Sequence, residues 1–296
     1  MNYIEKITAL FERLDKNNII KLPYGSKNEI FAKVENGNLT GSVKDRPALQ
    51  MMLDAAKKGL INDKTVFIEA TSGNMGISIS YLAKEIGLQA KIVMPSSMSV
   101  ERREMIQKNG GDLLLINGGM KQCEDEVENL LKTNPNYLKL SQFENVSNPL
   151  AHYRTTAPEI EAFGHFDYMV MGIGTGGTIS GVGRYFKEKG IDTKFIGVEP
   201  EASPLLTKGQ AAPHKIQGIG ANFIPKTLDR EILDEVIDVD GDKAILLAKE
   251  LKEKGISVGI SSAAALLGAL EVDKKTEGKK ILVVFPDNGN RYNGII

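Results

Sequence analysis

The chain has one cysteine, Cys123, in 296 residues, which excludes an intrachain disulfide framework and leaves no cysteine cluster for a structural zinc. With three histidines, at positions 152, 165 and 214, a multi-histidine metal site is not expected. Charge of one sign is also missing. The 37 Lys and Arg against 38 Asp and Glu leave a net charge of −1, so no bulk field draws the chain to nucleic acid or to an anionic membrane. No apolar run approaches the about 18 residues of a membrane span. There is no internal repeat and no low-complexity segment. The N-terminus lacks the charged stub and apolar run of a signal peptide. Instead Ile4, Ile7, Leu10, Phe11 and Leu14 recur at helical spacing and predict an amphipathic helix. A cytoplasmic location is the resulting expectation. Apolar content of 42% and charged content of 25% are those of a soluble globular chain, long enough for one large or two ordinary domains.

Apolar periodicity predicts alternating strands and helices. Strands are expected at 66–70, 90–95, 113–116, 168–171, 195–198 and 281–285. Helices are expected at 48–58, 76–87, 99–109, 120–132, 179–189, 244–254 and 263–272. Short strands separated by such helices argue for βαβ units and parallel sheets. The polar, Pro-containing stretch from Gln142 to His152 separates two runs of these units and reads as a crossing between domains.

Four segments carry chemistry. Gly172-Ile173-Gly174-Thr175-Gly176-Gly177-Thr178 follows a predicted strand and opens a helix, where backbone amides can bind phosphate. Its Gly172, Gly174 and Gly177 also match G-x-G-x-x-G, with Glu199 about 20 residues on, where a dinucleotide fold puts its ribose acid. A nicotinamide-dependent oxidoreductase is therefore a rival. Ala70-Thr71-Ser72-Gly73-Asn74-Met75-Gly76 is a second strand-to-helix loop, able to cradle a carboxylate or simply to cap a helix through Ser72 or Asn74. Gly259-Ile260-Ser261-Ser262 leads into an alanine-rich helix, and read alone Ser262 is its cap. Lys44, in Gly41-Ser42-Val43-Lys44-Asp45-Arg46, lies at a loop-to-helix junction. A lysine there is either a solvated charge or one held inward and made nucleophilic. Together the four supply what a pyridoxal phosphate enzyme needs: an amine, a phosphate cradle, a carboxylate site and a partner for the pyridine nitrogen.

At these residues the chain resembles the cysteine synthase (O-acetylserine sulfhydrylase) family of fold-type II pyridoxal phosphate enzymes. Besides the segments above, Gln142-Phe143, His152-Tyr153 through Pro158, Gly197-Val198-Glu199-Pro200, Gly218-Ile219-Gly220 and Pro286-Asp287 through Tyr292 occur in the family's order. Met94 to Arg103 is similar to the B-type branch. The resemblance implies two three-layer α/β domains with mainly parallel sheets, tryptophan synthase β-like, with the cofactor in the inter-domain cleft. Residues 1–40 plus 148–296 would form the larger domain, and 41–147 a smaller mobile one. Lys44 would form the Schiff base with pyridoxal 5'-phosphate and act as general base. Asn74 would bond the phenolic oxygen, Gly174, Thr175, Gly176, Gly177 and Thr178 the phosphate, and Ser261 the pyridine nitrogen. Thr71, Ser72, Gly73, Asn74, the backbone of Met75, and Gln142 would hold the substrate carboxylate. The implied reaction replaces the acetate of O-acetylserine by sulfide through α-aminoacrylate, giving L-cysteine. Sister activities on the same scaffold are cysteine lyase, releasing hydrogen sulfide, and lanthionine or cystathionine synthesis. A homodimer and a serine acetyltransferase are the implied protein partners, with the N-terminal helix a contributor to the dimer.

The chain departs from the pattern in places. Met75 replaces a threonine, Ala263 a glycine, and Asn222 a smaller residue. Leu39-Thr40 stands where Pro-x is usual, and Asn17-Asn18-Ile19-Ile20 replaces an Asn-Thr-Pro signature. Met75 and Asn222 are expected to bear on substrate choice. His152 and Tyr153 are expected to pack between domains, His165 and His214 to lie on the surface, Cys123 to be structural, and Met94, Met98, Met105 and Met120 to fill core.

Overall fold

The computed structural model describes residues 2–16, 18–71 and 73–296. In chain order the elements are α1 (Tyr3–Phe11), β1 (Ile19–Lys21), β2 (Glu29–Val34), α2 (Asp45–Lys57), β3 (Val66–Ala70), α3 (Asn74–Ile86), β4 (Gln89–Pro95), α4 (Val100–Lys108) and β5 (Gly111–Ile116). There follow α5 (Met120–Thr133), β6 (Tyr137–Lys139), α6 (Ser147–Arg154), α7 (Thr156–Phe163), β7 (Tyr168–Gly172), α8 (Gly177–Glu188), β8 (Lys194–Pro200) and α9 (Leu205–Lys208). Last come β9 (Glu235–Val239), α10 (Gly241–Glu253), α11 (Ile260–Lys275) and β10 (Lys280–Phe285). Contacts divide the chain into two units, Met1–Leu14 with Asn38–Ser147, and Asp15–Gly37 with Asn148–Ile296.

The first unit holds a parallel four-stranded sheet in the order β5-β4-β3-β6. Its central strands are apolar on both faces, as a covered parallel sheet requires. Phe67, Ala90, Ile92 and Met94 point into a core with Ile7 and Leu10 of α1, Leu49 and Met52 of α2, and Ile79 and Leu82 of α3. Ile68, Ala70 and Val93, of opposite parity, pack against Cys123 and Val127 of α5. The period-2 alternation thus builds three layers, and each fully buried Leu or Ile contributes about 1.5–3 kcal/mol.

The second unit has a six-stranded sheet ordered β1-β2-β10-β7-β8-β9, parallel except for the β1–β2 pair. Ile281, Val283 and Phe285 face α10 and α11, whereas Leu282 and Val284 face α7 and α8. Each sheet reverses its strand order once, between β3 and β6 in the first unit and between β7 and β10 in the second. The crevice beyond the carboxyl ends of strands at such a reversal is where open α/β sheets bind ligands.

The expected strands and helices are present, most of them longer than expected. The expectation grouped residues 1–40 with 148–296. In the structure α1 joins the core of the first unit, with Ile7 and Leu10 buried. Its apolar face is therefore taken up by its own unit, and Ile4 is left exposed. The border between the two units falls within the stretch from Gln142 to His152, at Ser147–Asn148, and α6 begins there at Ser147.

Candidate active site

In the first unit the reactive lysine candidate stands at the start of α2. Lys44 is the residue just before the helix and is half-buried, and its backbone N–H donates to Ser42 Oγ at 3.3 Å. Neighbouring Asp45 is fully buried. Its carboxylate accepts from the Thr40 N–H at 2.7 Å, from Thr40 Oγ1 at 2.7 Å and from Ser78 Oγ at 2.6 Å. Ser78 belongs to α3, so these bonds tie the Lys44 loop to the helix that begins with Asn74. The loop before α3 is held on the sheet by the Thr71 N–H, which donates to Val93 O at 3.0 Å. Gly73 is the N-cap of α3, without a side-chain cap bond. This corrects the capping role considered for Asn74, which is the first helical residue and half-buried; Ser72 lies outside the described residues.

Met75 is 1% exposed and packs in the apolar core of its unit. Its side chain fills core. Gln142 is buried after β6. Its N–H and that of Ser141 each donate to the carboxylate of Glu69 at 3.0 Å.

In the second unit the glycine-rich loop follows β7. Gly176, the N-cap of α8, has φ +76°, a left-handed conformation that favours glycine. A Cβ at Gly174 would lie 2.4 Å from Gly218 O, so only glycine permits this approach of the two segments. Buried Thr175 is held from three sides. Its Oγ1 accepts from the Gly177 N–H at 3.2 Å and from Asn148 Nδ2 at 3.1 Å, and its carbonyl accepts from Thr227 Oγ1 at 2.6 Å. Thr178 Oγ1 lies 3.3 Å from Nε2 of buried His152, whose Nδ1 lies 2.9 Å from Thr156 Oγ1. His152 thus supports the glycine loop from within its own unit, and Asn148 and Thr227, which also hold that loop, are residues that pattern reading missed.

Ser261 is buried in the first turn of α11. A Cβ on Gly218 would lie 3.6 Å from Ser261 Oγ, so Gly218 links the phosphate-loop candidate to Ser261. The N-cap of α11 is Gly259, not Ser262, whose buried Oγ makes no hydrogen bond among the described residues. Ala263 is core. Asn222 is exposed and His165 is exposed, while half-buried His214 has its Nε2 2.8 Å from Gly220 O. Met94 is core and Met98 and Met105 pack against it, but Met120 is exposed.

Glu199 is where the rival reading fails. It is buried and accepts from the Leu206 N–H, the Thr207 N–H and Thr207 Oγ1, at 2.8, 2.9 and 2.7 Å. That carboxylate is occupied in capping the short α9 and is not presented to a ribose. Among the described residues no group of three or more His, Cys, Asp or Glu is placed to hold a metal ion. No helix among them is long and apolar enough to cross a membrane.

The chain matches the family described as pyridoxal-phosphate dependent enzyme over residues 13–287 and belongs to it. It is 49% identical over 267 residues to cysteine synthase B of Campylobacter jejuni, covering 89% of each chain. It is 41% identical over 290 residues to cysteine synthase A of Escherichia coli K12, covering 93% of this chain and 90% of that one. A crystal structure of a hydrogen sulfide-producing enzyme from Fusobacterium nucleatum superposes with a TM-score of 0.91 at 40% identity, covering 96% of this chain and 98% of that one. Within its family the chain is of the cysteine synthase type. Its cofactor is pyridoxal phosphate. The residues present fit that group: the first turn of α8 offers amides without intrahelical acceptors behind a preformed glycine loop, as a phosphate requires.

Proposed function

We propose that the protein makes L-cysteine from O-acetylserine and sulfide, exchanging the acetate on the β-carbon for the sulfur nucleophile. Gly174 to Thr178 would bind the cofactor phosphate through backbone amides and hydroxyls, with Lys44 Nζ as covalent anchor, Asn74 at the phenolic oxygen and Ser261 Oγ at the pyridine nitrogen. When bound, the cofactor supplies the electron sink that labilises the bond from Cα to hydrogen and expels the β-substituent. Thr71, Ser72, Gly73, Asn74, the Met75 amide and Gln142 would hold and orient the substrate carboxylate. Lys44 Nζ would take the proton from Cα. A neutral hydroxyl at Ser261, in place of a carboxylate, would not protonate the pyridine nitrogen and would thereby favour loss of the β-substituent over transamination. Closure of the smaller domain over the carboxylate would exclude water.

What carries this reading is the joining, by Asp45, of the Lys44 loop to the helix that starts with Asn74. The anchor and the carboxylate loop are thereby built as one piece. The solved relative named for hydrogen sulfide production supports a second reading, release of hydrogen sulfide from cysteine. Assay of the purified holoenzyme with O-acetylserine plus sulfide, and separately with cysteine alone, decides. Cysteine formation at least about tenfold faster than hydrogen sulfide release is expected, and the reverse order overturns the proposal. Lys44→Ala is expected to lower kcat by about 10²–10⁴-fold. We also propose a homodimeric, cytoplasmic enzyme able to dock a serine acetyltransferase, which the resemblance to the cysteine synthase family supports.

A further inference from the structure

Glu69 belongs to no motif and has no assigned role, yet it is a fully enclosed carboxylate, 1% exposed, at a point where two ligand loops diverge. The β3–β6 ladder pairs Val66 with Tyr137, Phe67 with Leu138 and Ile68 with Lys139, and then ends. Beyond Lys139 the chain leaves the sheet, and its amides need new acceptors because a buried N–H without one is costly. The next residue of β3 supplies them from its side chain. Glu69 Oε2 accepts the Ser141 N–H and Oε1 the Gln142 N–H, both at 3.0 Å. Ser141 is the sole non-glycine residue with positive φ among the described residues, at +58°. Such a backbone persists where its surroundings over-determine it. The Ser141 carbonyl in turn accepts from the N–H groups of Glu144 and Asn145 at 3.0 and 2.9 Å, which closes the turn that presents Gln142. Two residues after Glu69, Thr71 opens the carboxylate loop.

We propose that Glu69 is a positioning residue for the substrate's α-carboxylate, holding Gln142 at a fixed place relative to the Thr71–Met75 loop through the two backbone amides. The inference rests on the reading that Gln142 and this loop take that carboxylate. An ionised carboxylate gives an acceptor to each amide, whereas protonation turns one oxygen into an O–H and weakens one of the two bonds. Burial pushes the Glu69 carboxyl up to about 7, the two amides offsetting part of this. Glu124 of α5 raises it slightly, and Lys139 of β6, paired with Glu124 and Glu128, lowers it. The clamp is therefore set above neutral pH and slackens below it.

Two measurements test this. In the apoprotein, NMR follows the amide signals of Ser141 and Gln142 from about pH 5.5 to about 8.5. Both are expected to titrate with a shared midpoint in wild type and to stay flat in Glu69→Gln. In the holoenzyme, Glu69→Gln is expected to raise the KM for O-acetylserine about tenfold with kcat within about threefold, and to flatten the pH dependence of KM relative to wild type. Gln142→Ala separates the inference from the reading beneath it. If Gln142→Ala raises KM and Glu69→Gln does not, the positioning role is wrong. If Gln142→Ala leaves KM unchanged, the carboxylate reading of Gln142 fails and the inference falls with it. Should Glu69→Gln not fold, the wild-type titration decides, and absence of a shared midpoint overturns the clamp.

Discussion

Lys44 owes its position to its neighbour. Asp45 accepts hydrogen bonds from the Thr40 N–H, Thr40 Oγ1 and Ser78 Oγ inside the first unit. Bonds to a charged acceptor contribute about 1.5–3 kcal/mol each, and loss of the carboxylate strands buried donors. Asp45→Ala is expected to lower stability by about 3 kcal/mol or more and to weaken cofactor retention, measured by urea unfolding and by visible absorbance after dialysis. Asp45→Asn, able to accept at one oxygen, should lose less. At this scale the sequence marked out the candidate for the reactive residue but not its support. Lys44, Gly174 to Thr178 and Ser261 stand out because their residue types are chemically unusual beside glycine. Asp45 and Glu69 read as ordinary charges, and their roles depend on partners 33 and more than 70 residues away.

At the scale of elements, apolar strands such as Ile281 to Phe285 were legible because both faces are buried. The strand Glu29–Val34 was not, since buried Lys33 interrupts its apolar pattern while pairing with Glu35 and Glu159 at 3.4 and 2.8 Å. Glu235–Val239 carries charges at Glu235 and Asp238, three residues apart, which breaks its alternation, and Tyr137–Lys139 is three residues long. The helices from Ser147 to Phe163 were hidden by polar residues and by Pro149 and Pro158. Among the loop glycines, position determines tolerance. At Gly176, with φ +76°, a Cβ would lie 2.6 Å from Leu228 Cβ and 2.9 Å from its Cα. At Gly73 it would meet nothing within 4 Å, and the backbone there is extended. Gly176→Ala is expected to cost about 2–4 kcal/mol and to release the cofactor, whereas Gly73→Ala should change stability by no more than about 0.5 kcal/mol. Thermal unfolding of both apoproteins and holoproteins checks the contrast.

For the whole molecule, two buried acids respond to pH in opposite directions. Asp273 of α11 accepts from the Ser26 N–H and Oγ, the Lys27 N–H, and the Asn28 N–H and Nδ2, pinning the turn that precedes β2. Burial opposes its ionisation, but those donors outweigh it and lower the carboxyl to about 2. Its stabilisation is therefore present above its ordinary value of 3.8 and is lost as pH falls toward 2. Glu69 has its carboxyl raised from 4.5 to about 7, so its favourable contribution is full below 4.5 and is lost as pH rises through about 7. That loss amounts to about 3 kcal/mol. Urea midpoints from about pH 3 to about pH 8 should rise and then fall in wild type, with Asp273→Ala flattening the acid limb and Glu69→Gln the neutral limb.

Cys123 has a bearing on the chemistry it never joins. It is 0% exposed beneath β3 and β4, and burial pushes its thiol above the ordinary value, with Glu124 adding to the shift. Since the thiolate is the species that attacks, such a sulfur is inert. An enzyme of the cysteine synthase type handles sulfur compounds, and thiol–disulfide exchange needs an accessible thiolate. By keeping its one sulfhydryl walled in, this chain is proofed against the reactivity of its own product.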